Sequence, residues 1–336
     1  MVGLTHLVVR RAIQEYLPPG SRSLWPTEML NSRRIPSELG GQSIETRFDD
    51  HEAGLCPQLL GNEESFVRDS ITKLKDWGAL AVDINMGCPV KRALRHNYGV
   101  ALLGDPDYAA EVTAMAVKHA RGLPISVKLR AAPPPKEAQK HPLQAAEVDP
   151  GFLKEVVLKL QAAGASWITL HPRTAAQKRR GDADWSQIAN LKQWLRIPVI
   201  GNGDVQTPAE IRQMFSETAC DRVMIGRALL AKPWMLRSAM DPSAEITDPF
   251  EAGAEYGRFL RRVLELSREH YPESGGVRRF RFLVSHGSPY LEYGHTLFAS
   301  TTAGDSFDHL ESCLSRFFGP DGKRPQRQFP STALRL

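Results

Sequence analysis

The sequence predicts a barrel of parallel β-strands and α-helices, followed by a smaller helical domain. Seven short apolar stretches, bounded by turn residues, alternate with segments whose apolar residues recur at three- and four-residue spacing. This alternation is typical of parallel β/α architecture. With 336 residues and 42% hydrophobic content, the chain can bury one barrel of about 250 residues and a smaller satellite. A (β/α)8 TIM barrel needs one more strand, most naturally before Met1, so the predicted barrel lacks its first strand.

The elements follow in order along the chain. Thr5 is positioned as the N-cap of a first amphipathic helix. The predicted strands are Leu24–Met29, Gly54–Leu60, Leu80–Asn85, Ile125–Leu129, Trp167–His171, Ile197–Asn202 and Val223–Gly226. Clear helical spacing between them covers Phe66–Trp77, Tyr108–His119 and Phe152–Ala163.

The strand pattern ends near Pro233, which sets the domain boundaries. We predict a barrel domain over residues 1–240 and a helical domain over 245–325, with helices near Phe259–Leu266 and Phe307–Phe318. Residues 326–336, rich in charged and turn-forming types, are expected to be flexible. The proline-rich segment Ala131–Pro150 follows a strand end and is expected to form a long loop over the active face.

Composition excludes several classes of protein. No apolar run approaches the roughly 20 residues that cross a bilayer, and the N-terminus lacks the plan of a signal peptide. We therefore expect a cytoplasmic protein without membrane contact. Four scattered cysteines have no metal-ligand spacing, so reduced thiols and no metal site are expected. The net charge of +5 allows a polyanionic partner but does not establish one.

The most informative stretch is Leu80–Pro89, which reads LAVDINMGCP. A buried strand ends there in Asn85, and Gly87 and Pro89 flank Cys88. This arrangement delivers a thiol to the mouth of a barrel, where active sites are built from the loops that follow the strands.

The other strand ends carry polar groups as well. They are Gln58, Lys128, Arg130, His171, Arg173, Asn202, Gly203, Asp204, Gly226 and Arg227. Glycine-rich turns after the last two strands of a barrel commonly bind a phosphate through backbone N–H groups. Together with the cationic Lys128, such turns suit an anionic planar cofactor such as reduced FMN.

Five motifs in sequence carry a family resemblance over residues 1–235. They are DINMGCP from Asp83 with Lys91 and Gly99 behind it, SVKLR from Ser126, HPRT from His171, PVIGNGD from Pro198 and VMIGR from Val223. In this order they resemble the tRNA-dihydrouridine synthases. The helical domain resembles the family only loosely.

The resemblance implies an FMN enzyme that reduces the 5,6 double bond of selected uridines in tRNA, with NADPH reducing the flavin. In that family a loop cysteine protonates C5 of uracil, and Cys88 takes this place. Positions that match flavin contacts are Gln58, Lys128, Asn202, Asp204, Gly226 and Arg227, with Gly203 between them. Asn85, His171 and Arg173 match positions that line the flavin and uracil pocket.

Three departures from the family pattern stand out. The family's first strand ends in an Ala-Pro-Met run whose backbone touches the flavin, and this chain begins at the matching Met1. We therefore expect an N-terminal truncation or a misassigned start. Val100 replaces a small residue after Gly99, which is expected to crowd the cysteine loop. Pro172 replaces a glycine but keeps the side chains on either side of it.

Basic clusters are expected to bind the RNA. Lys91 and Arg95 follow the cysteine strand, and Lys178 to Arg180 follow the histidine strand, so both clusters should ring one mouth. We assign Lys91, Arg130 and Arg173 to substrate binding, together with Arg278, Arg279 and Arg281 in the helical domain. The target uridine must be swung out of its stack to reach the pocket. We expect the enzyme to act as a monomer.

Two alternatives remain open. Another FMN barrel, such as a dihydroorotate or ene-type oxidoreductase, would share the phosphate turns and the lysine but would not need the basic loops. A non-catalytic tRNA-binding relative would keep the shape without the flavin. Salt-dependent tRNA binding and flavin absorbance separate these cases.

Overall fold

The fold is a curled sheet of seven parallel strands surrounded by helices. The computed structural model describes residues 1–132, 147–319 and 326–328, apart from residues 22, 42, 50, 51, 53 and 179. The strands are β1 (Trp25–Asn31), β2 (Leu55–Leu60), β3 (Val82–Met86), β4 (Ile125–Arg130), β5 (Ile168–His171), β6 (Val199–Asn202) and β7 (Arg222–Met224). They pair in chain order, and all seven predicted strands are confirmed.

Strand register places the polar interior residues side by side. Gln58 pairs with Asp83, Asp83 with Ser126, and Asn85 with Lys128. Because side chains two residues apart on a strand share a face, Asp83 and Asn85 point the same way, as do Ser126 and Lys128. The pairing therefore brings one layer of polar side chains together inside the sheet.

The sheet is open between β7 and β1 in the part of the chain that the structure describes. At this seam, residues of β1, β7 and the first helix line a mainly apolar cavity of about 350 Å³. Residues from all seven strands reach the same cavity, which shows that the sheet curls round one interior.

Helices connect the strands and cover the sheet. They are α1 (Leu7–Gln14), α2 (Glu64–Asp76), α3 (Lys91–Arg95), α4 (Pro106–Ala120), α5 (Pro150–Ala162), α6 (Ser186–Trp194), α7 (Pro208–Thr218), α8 (Ala228–Ala231) and α9 (Met235–Met240). Side-chain caps begin several of them: Asp105 and Asp149 cap α4 and α5, and a Thr207/Glu210 capping box begins α7.

The first helix corrects one prediction. It begins at Leu7 after the extended residue His6, and not directly after Thr5. The Thr5 hydroxyl instead accepts a hydrogen bond from the Met1 amino group and donates one to the Met1 carbonyl. The N-terminal residues therefore form a closed turn of their own.

The region after the barrel is helical, with α10 (Pro249–His270), α11 (Glu273–Gly287), α12 (Gly294–Thr301) and α13 (Phe307–Phe318). The stretch expected to be a flexible tail begins with residues that are packed: Gln328 bridges to Leu291 and donates to the carbonyl of Ala231. The remainder of that tail, and residues 133–146 of the predicted loop, lie outside the described residues.

Buried polar contacts fix the helical region against the barrel. The Arg279 guanidinium of α11 pairs with Glu28 of β1 at 2.6 Å and also with Glu45. His6 Nδ1 lies 3.0 Å from the Tyr271 hydroxyl. Burial raises the pKa of Glu28 while Arg279 opposes that rise, so this ion pair holds a carboxylate in a desolvated place.

In the described part of the chain, the structure contains no helix that is both long and apolar enough to cross a lipid bilayer.

We expect Arg279→Ala to lower the free energy of unfolding by about 3 kcal/mol, because it leaves the buried Glu28 carboxylate without its charged partner. Arg278→Ala, one residue earlier on the exposed side of α11, is the matched control and should change stability by less than about 0.5 kcal/mol. Urea unfolding of both variants provides the measurement. Equal stabilities would show that the ion pair does not fix the helical region.

Candidate active site

A cavity of about 850 Å³ lies at the carboxyl ends of the strands. Each of β2 to β6 places a polar side chain in its wall: Gln58, Asn85, Lys128, His171 and Asn202. The volume falls within the range of about 300–1,000 Å³ that is typical of cofactor and substrate pockets. Fourteen residues assigned to this mouth from the sequence line the one cavity: Met1, Gln58, Asn85, Cys88, Lys128, Arg130, His171, Arg173, Asn202, Gly203, Asp204, Gly226, Arg227 and Lys128's neighbour in the wall, Gly87.

Cys88 lies in a loop that Asn85 holds from within. The Asn85 side-chain oxygen accepts hydrogen bonds from the backbone N–H of Gly87 at 3.0 Å and of Cys88 at 2.8 Å. The Asn85 amide nitrogen donates to the side-chain oxygen of Gln58 at 2.6 Å. This bonding ties the cysteine loop to the end of β3.

The second support of the loop comes from the segment after α3. Gly99 has a positive φ of 61°, and a Cβ there would lie 2.5 Å from the Cys88 carbonyl oxygen. Only glycine fits this approach without strain. The next residue does not obstruct the loop: Val100 donates its N–H to the same carbonyl at 3.1 Å and its side chain packs in the main core.

The Cys88 thiol is partly enclosed and stays protonated at neutral pH. One side of the residue packs with Ala93, Tyr98, Met29 and Leu60, while another side lines the cavity. Burial raises the pKa of Cys88, and the Val90 N–H and the Arg130 charge only partly offset this. A protonated thiol at the cavity wall can act as a proton donor.

Lys128 and His171 give the cavity its electrostatic character. Burial lowers the pKa of Lys128 to about 8, against the raising effect of Asp83. Burial also lowers the pKa of His171 to about 2, with further lowering from Lys128, Arg130, Arg173 and Arg227. His171 is therefore a neutral imidazole in a region of positive potential, which suits an anionic ligand.

Arg173 and Asp204 are paired with each other. The guanidinium donates to both carboxylate oxygens of Asp204, at 2.9 Å for Nη1 to Oδ1, and also to the carbonyl of Gly181. Burial raises the pKa of Asp204, but hydrogen bonds from Arg173 and the Ala183 N–H outweigh it and hold the pKa below its ordinary value. The pair fixes the loops after β5 and β6 to each other.

The two glycine turns meet at the cavity. The Asn202 side chain donates to the Met224 carbonyl at 2.8 Å, which joins the ends of β6 and β7. Gly203 has a φ of 127°, and a Cβ there would lie 3.1 Å from the His171 ring, so glycine leaves room for the imidazole. At Gly226, the nearest atom to an added Cβ is Met1 Sδ at 3.7 Å. Met1 therefore lies beside the second turn.

Arg130 binds backbone and holds two loops together. Its guanidinium donates to the carbonyls of Gly87 at 3.0 Å, Thr174 at 3.2 Å and Lys178 at 3.3 Å. The cysteine loop and the loop after β5 are thus connected through one side chain at the end of β4.

The remaining predicted substrate residues lie elsewhere. Lys91 is exposed on α3. Arg278, Arg279 and Arg281 line a neighbouring cavity of about 880 Å³, where Arg279 pairs with two glutamates and Arg281 pairs with Asp305 at 2.7 Å. The two cavities have the wall residue Val2 in common.

Sequence reasoning missed several residues of the site. Thr27 and Met29 of β1, and Tyr290 from the helical region, line the cavity. Asp83 was also missed, although strand periodicity alone places it on the same face as Asn85. Nothing in the sequence places Tyr290 there, because its position depends on how the helical region docks.

Among the described residues, no group of three or more His, Cys, Asp or Glu side chains is placed to hold a metal ion.

Comparisons with known proteins agree with this geometry. The sequence profile described as dihydrouridine synthase matches residues 1–286. The chain is 34% identical over 346 residues to a probable tRNA-dihydrouridine synthase of Mycobacterium tuberculosis (strain CDC 1551 / Oshkosh), covering 99% of this chain and 83% of that protein. A probable tRNA-dihydrouridine synthase of Rickettsia bellii is 31% identical over 287 residues, covering 82% and 80%. The tRNA-dihydrouridine synthase B of Proteus vulgaris is 27% identical over 302 residues, covering 88% and 84%.

We expect stability to fall in acid partly through His171. The folded protein holds this imidazole neutral, whereas the unfolded chain binds a proton below a pKa of about 6.5. The contribution is present above that pH and is lost as pH falls, by up to about 1.4 kcal/mol per pH unit. His171→Gln should make the acid slope shallower by one proton, as measured by urea unfolding between about pH 8 and pH 5.

At about pH 8 both proteins are neutral at this position, so the difference there measures only lost packing. Equal slopes in the two proteins would contradict a neutral His171 in the folded state.

Proposed function

Because this chain belongs to the dihydrouridine synthase family, we propose that it is a tRNA-dihydrouridine synthase that reduces the C5=C6 bond of selected uridines in tRNA. The observation that carries the proposal is the Cys88 thiol, held protonated at the wall of a cation-rich cavity. Saturating a conjugated ring needs an acid held over one carbon, and this thiol is placed to be that acid.

The cavity fits a flavin such as FMN. Lys128, Arg227 and the neutral His171 supply positive charge and a polar ring, and the two glycine turns offer backbone close to any bound phosphate. We assign flavin contacts to Met1, Gln58, Lys128, His171, Asn202, Gly203, Asp204, Gly226 and Arg227. In Asp204 the carboxylate is already held by Arg173, so its part is to shape the turn.

When bound, FMN would supply the hydride for C6 of uracil and would be reduced again by NADPH. The protein supplies the rest of the chemistry. Cys88 donates its proton to C5, so that one hydride and one proton together saturate the double bond. Asn85 and Arg130 hold the loop that carries the thiol, and Lys128 provides a fixed positive charge where electron density grows.

A tRNA substrate accounts for the basic residues at the rim. A duplex cannot enter a cavity of this size, so the uridine must be unstacked and swung in. Lys91 and Arg180 are exposed near the mouth and can bind the phosphates on either side of it. In the helical region, the exposed Arg278 is the better placed of the three arginines for RNA, since Arg279 and Arg281 are already paired. The substrate also implies a cytoplasmic enzyme, which we propose acts as a monomer.

We expect Cys88→Ala to retain flavin and tRNA binding but to lower turnover by about 100-fold to 10,000-fold, because the general acid is lost while the cavity remains. Dihydrouridine formed per enzyme, measured by mass spectrometry of digested tRNA, provides the test. Cys220→Ala is the control, since this buried thiol lies outside the cavity. Unchanged product formation in Cys88→Ala would exclude the thiol as the proton donor.

We expect Lys91→Ala and Arg180→Ala each to weaken tRNA binding and to reduce the slope of log affinity against log salt by about one. The control is Lys154→Ala, because Lys154 lies on α5 over the Trp194 ring, away from the cavity. Binding isotherms at several salt concentrations give the slopes. Slopes that match the unaltered protein in both rim variants would remove these residues from the RNA-binding surface.

A further inference from the structure

A buried carboxylate lies beneath the site without a part in the proposed chemistry. Asp83 of β3 is 4% exposed and lies among the interior residues of the barrel. Its two oxygens have separate partners: Oδ1 accepts from the Ser126 hydroxyl at 2.6 Å, and Oδ2 accepts from the Gln58 amide nitrogen at 2.7 Å. Burial raises the pKa of Asp83, while these hydrogen bonds and the Lys128 charge lower it.

The carboxylate decides which way the neighbouring amides point. An ionised carboxylate can only accept, so Gln58 must turn its NH2 group toward Asp83 and its oxygen away. That oxygen accepts from the Asn85 amide nitrogen at 2.6 Å. Asn85 then has its own oxygen free for the N–H groups of Gly87 and Cys88.

The polarity of this chain is essential to the cysteine loop. If both amides were reversed, the NH2 group of Asn85 would face two backbone N–H donors, and no hydrogen bond could form. Each lost or unpaired group in a buried place is unfavourable. The direction of the whole chain is therefore set at its inner end, at Asp83.

We propose that Asp83 is a positioning residue, which orients the Gln58 and Asn85 amides and thereby fixes the loop that presents the Cys88 thiol to the cavity. The role rests on the proposed function only in that it gives Cys88 a task. The chain of hydrogen bonds itself is independent of flavin and tRNA.

The experiment compares how fast iodoacetamide alkylates Cys88 in four proteins, with the modified peptides quantified by mass spectrometry. They are the unaltered protein, Asp83→Leu, the exchange variant Asp83→Asn/Gln58→Glu, and Ser126→Ala. Samples are matched for flavin content by absorbance, because Gln58 lines the cofactor cavity. Cys220 and Cys313 are buried far along the chain from this loop and report any general loosening.

Asp83→Leu removes the acceptor, so both amides can turn over and the loop loses its support. We expect Cys88 to react about tenfold faster, with its pKa, read from the pH dependence of alkylation, falling toward the ordinary value as the loop opens. The exchange variant keeps one carboxylate and one amide. A carboxylate at position 58 would accept from both neighbours, so Asn85 keeps its direction, and the rate should return to within about twofold of the unaltered protein.

Ser126→Ala removes only the partner of the other Asp83 oxygen and should leave the Cys88 rate unchanged. The proposal is overturned if folded Asp83→Leu protects Cys88 as well as the unaltered protein, or if Cys220 and Cys313 accelerate in parallel with Cys88. It is also overturned if the exchange variant leaves Cys88 fast. Should Asp83→Leu fail to fold, the exchange variant alone decides.

Alkylation needs neither turnover nor tRNA, so the outcome does not depend on the activity. An unaltered protein that makes no dihydrouridine would contradict the proposed function and leave the alkylation result standing.

Discussion

The hydrogen bonds from the backbone of Gly87 and Cys88 to the side chain of Asn85 are the contacts on which the site depends. They hold a loop closed at the end of β3, and they place a thiol at the wall of a cavity rather than wholly in the core. Arg130 from β4 and Gly99 support the same loop from its other sides. Because the supports come from separate strands, the position of the thiol is a property of the whole barrel mouth.

Charge within the cavity divides into two groups. Arg173 and Asp204 neutralise each other and fix loops, so they shape the site more than they attract ligands. Lys128 has a lowered pKa because burial opposes its charge, and His171 stays neutral beside four cations. An anion entering the cavity would relieve this unfavourable electrostatic energy, which is the physical reason that the site favours a phosphate-bearing, electron-accepting cofactor.

The sequence predicted the strands well, because buried parallel strands are short apolar runs whose ends carry the polar residues. It also predicted which strand-end residues share a cavity, since parallel strands all end at one face. Partnerships were beyond its reach. Arg279 and Arg278 are neighbours in sequence, yet one pairs with Glu28 in a buried contact and the other is exposed. Likewise, Tyr290 reaches the cavity only through the docking of the helical region, a long-range packing result that no local pattern encodes.

The central claim is that a hydride and a thiol proton are added to opposite ends of one uridine double bond. The most direct measurement mixes the reduced, flavin-loaded protein with unmodified tRNA in D2O and locates the new hydrogens by mass spectrometry and NMR. The account predicts that dihydrouridine forms as flavin is oxidised, with deuterium from the exchangeable thiol at C5 and the hydride at C6. Flavin that stays reduced beside unchanged tRNA would contradict it.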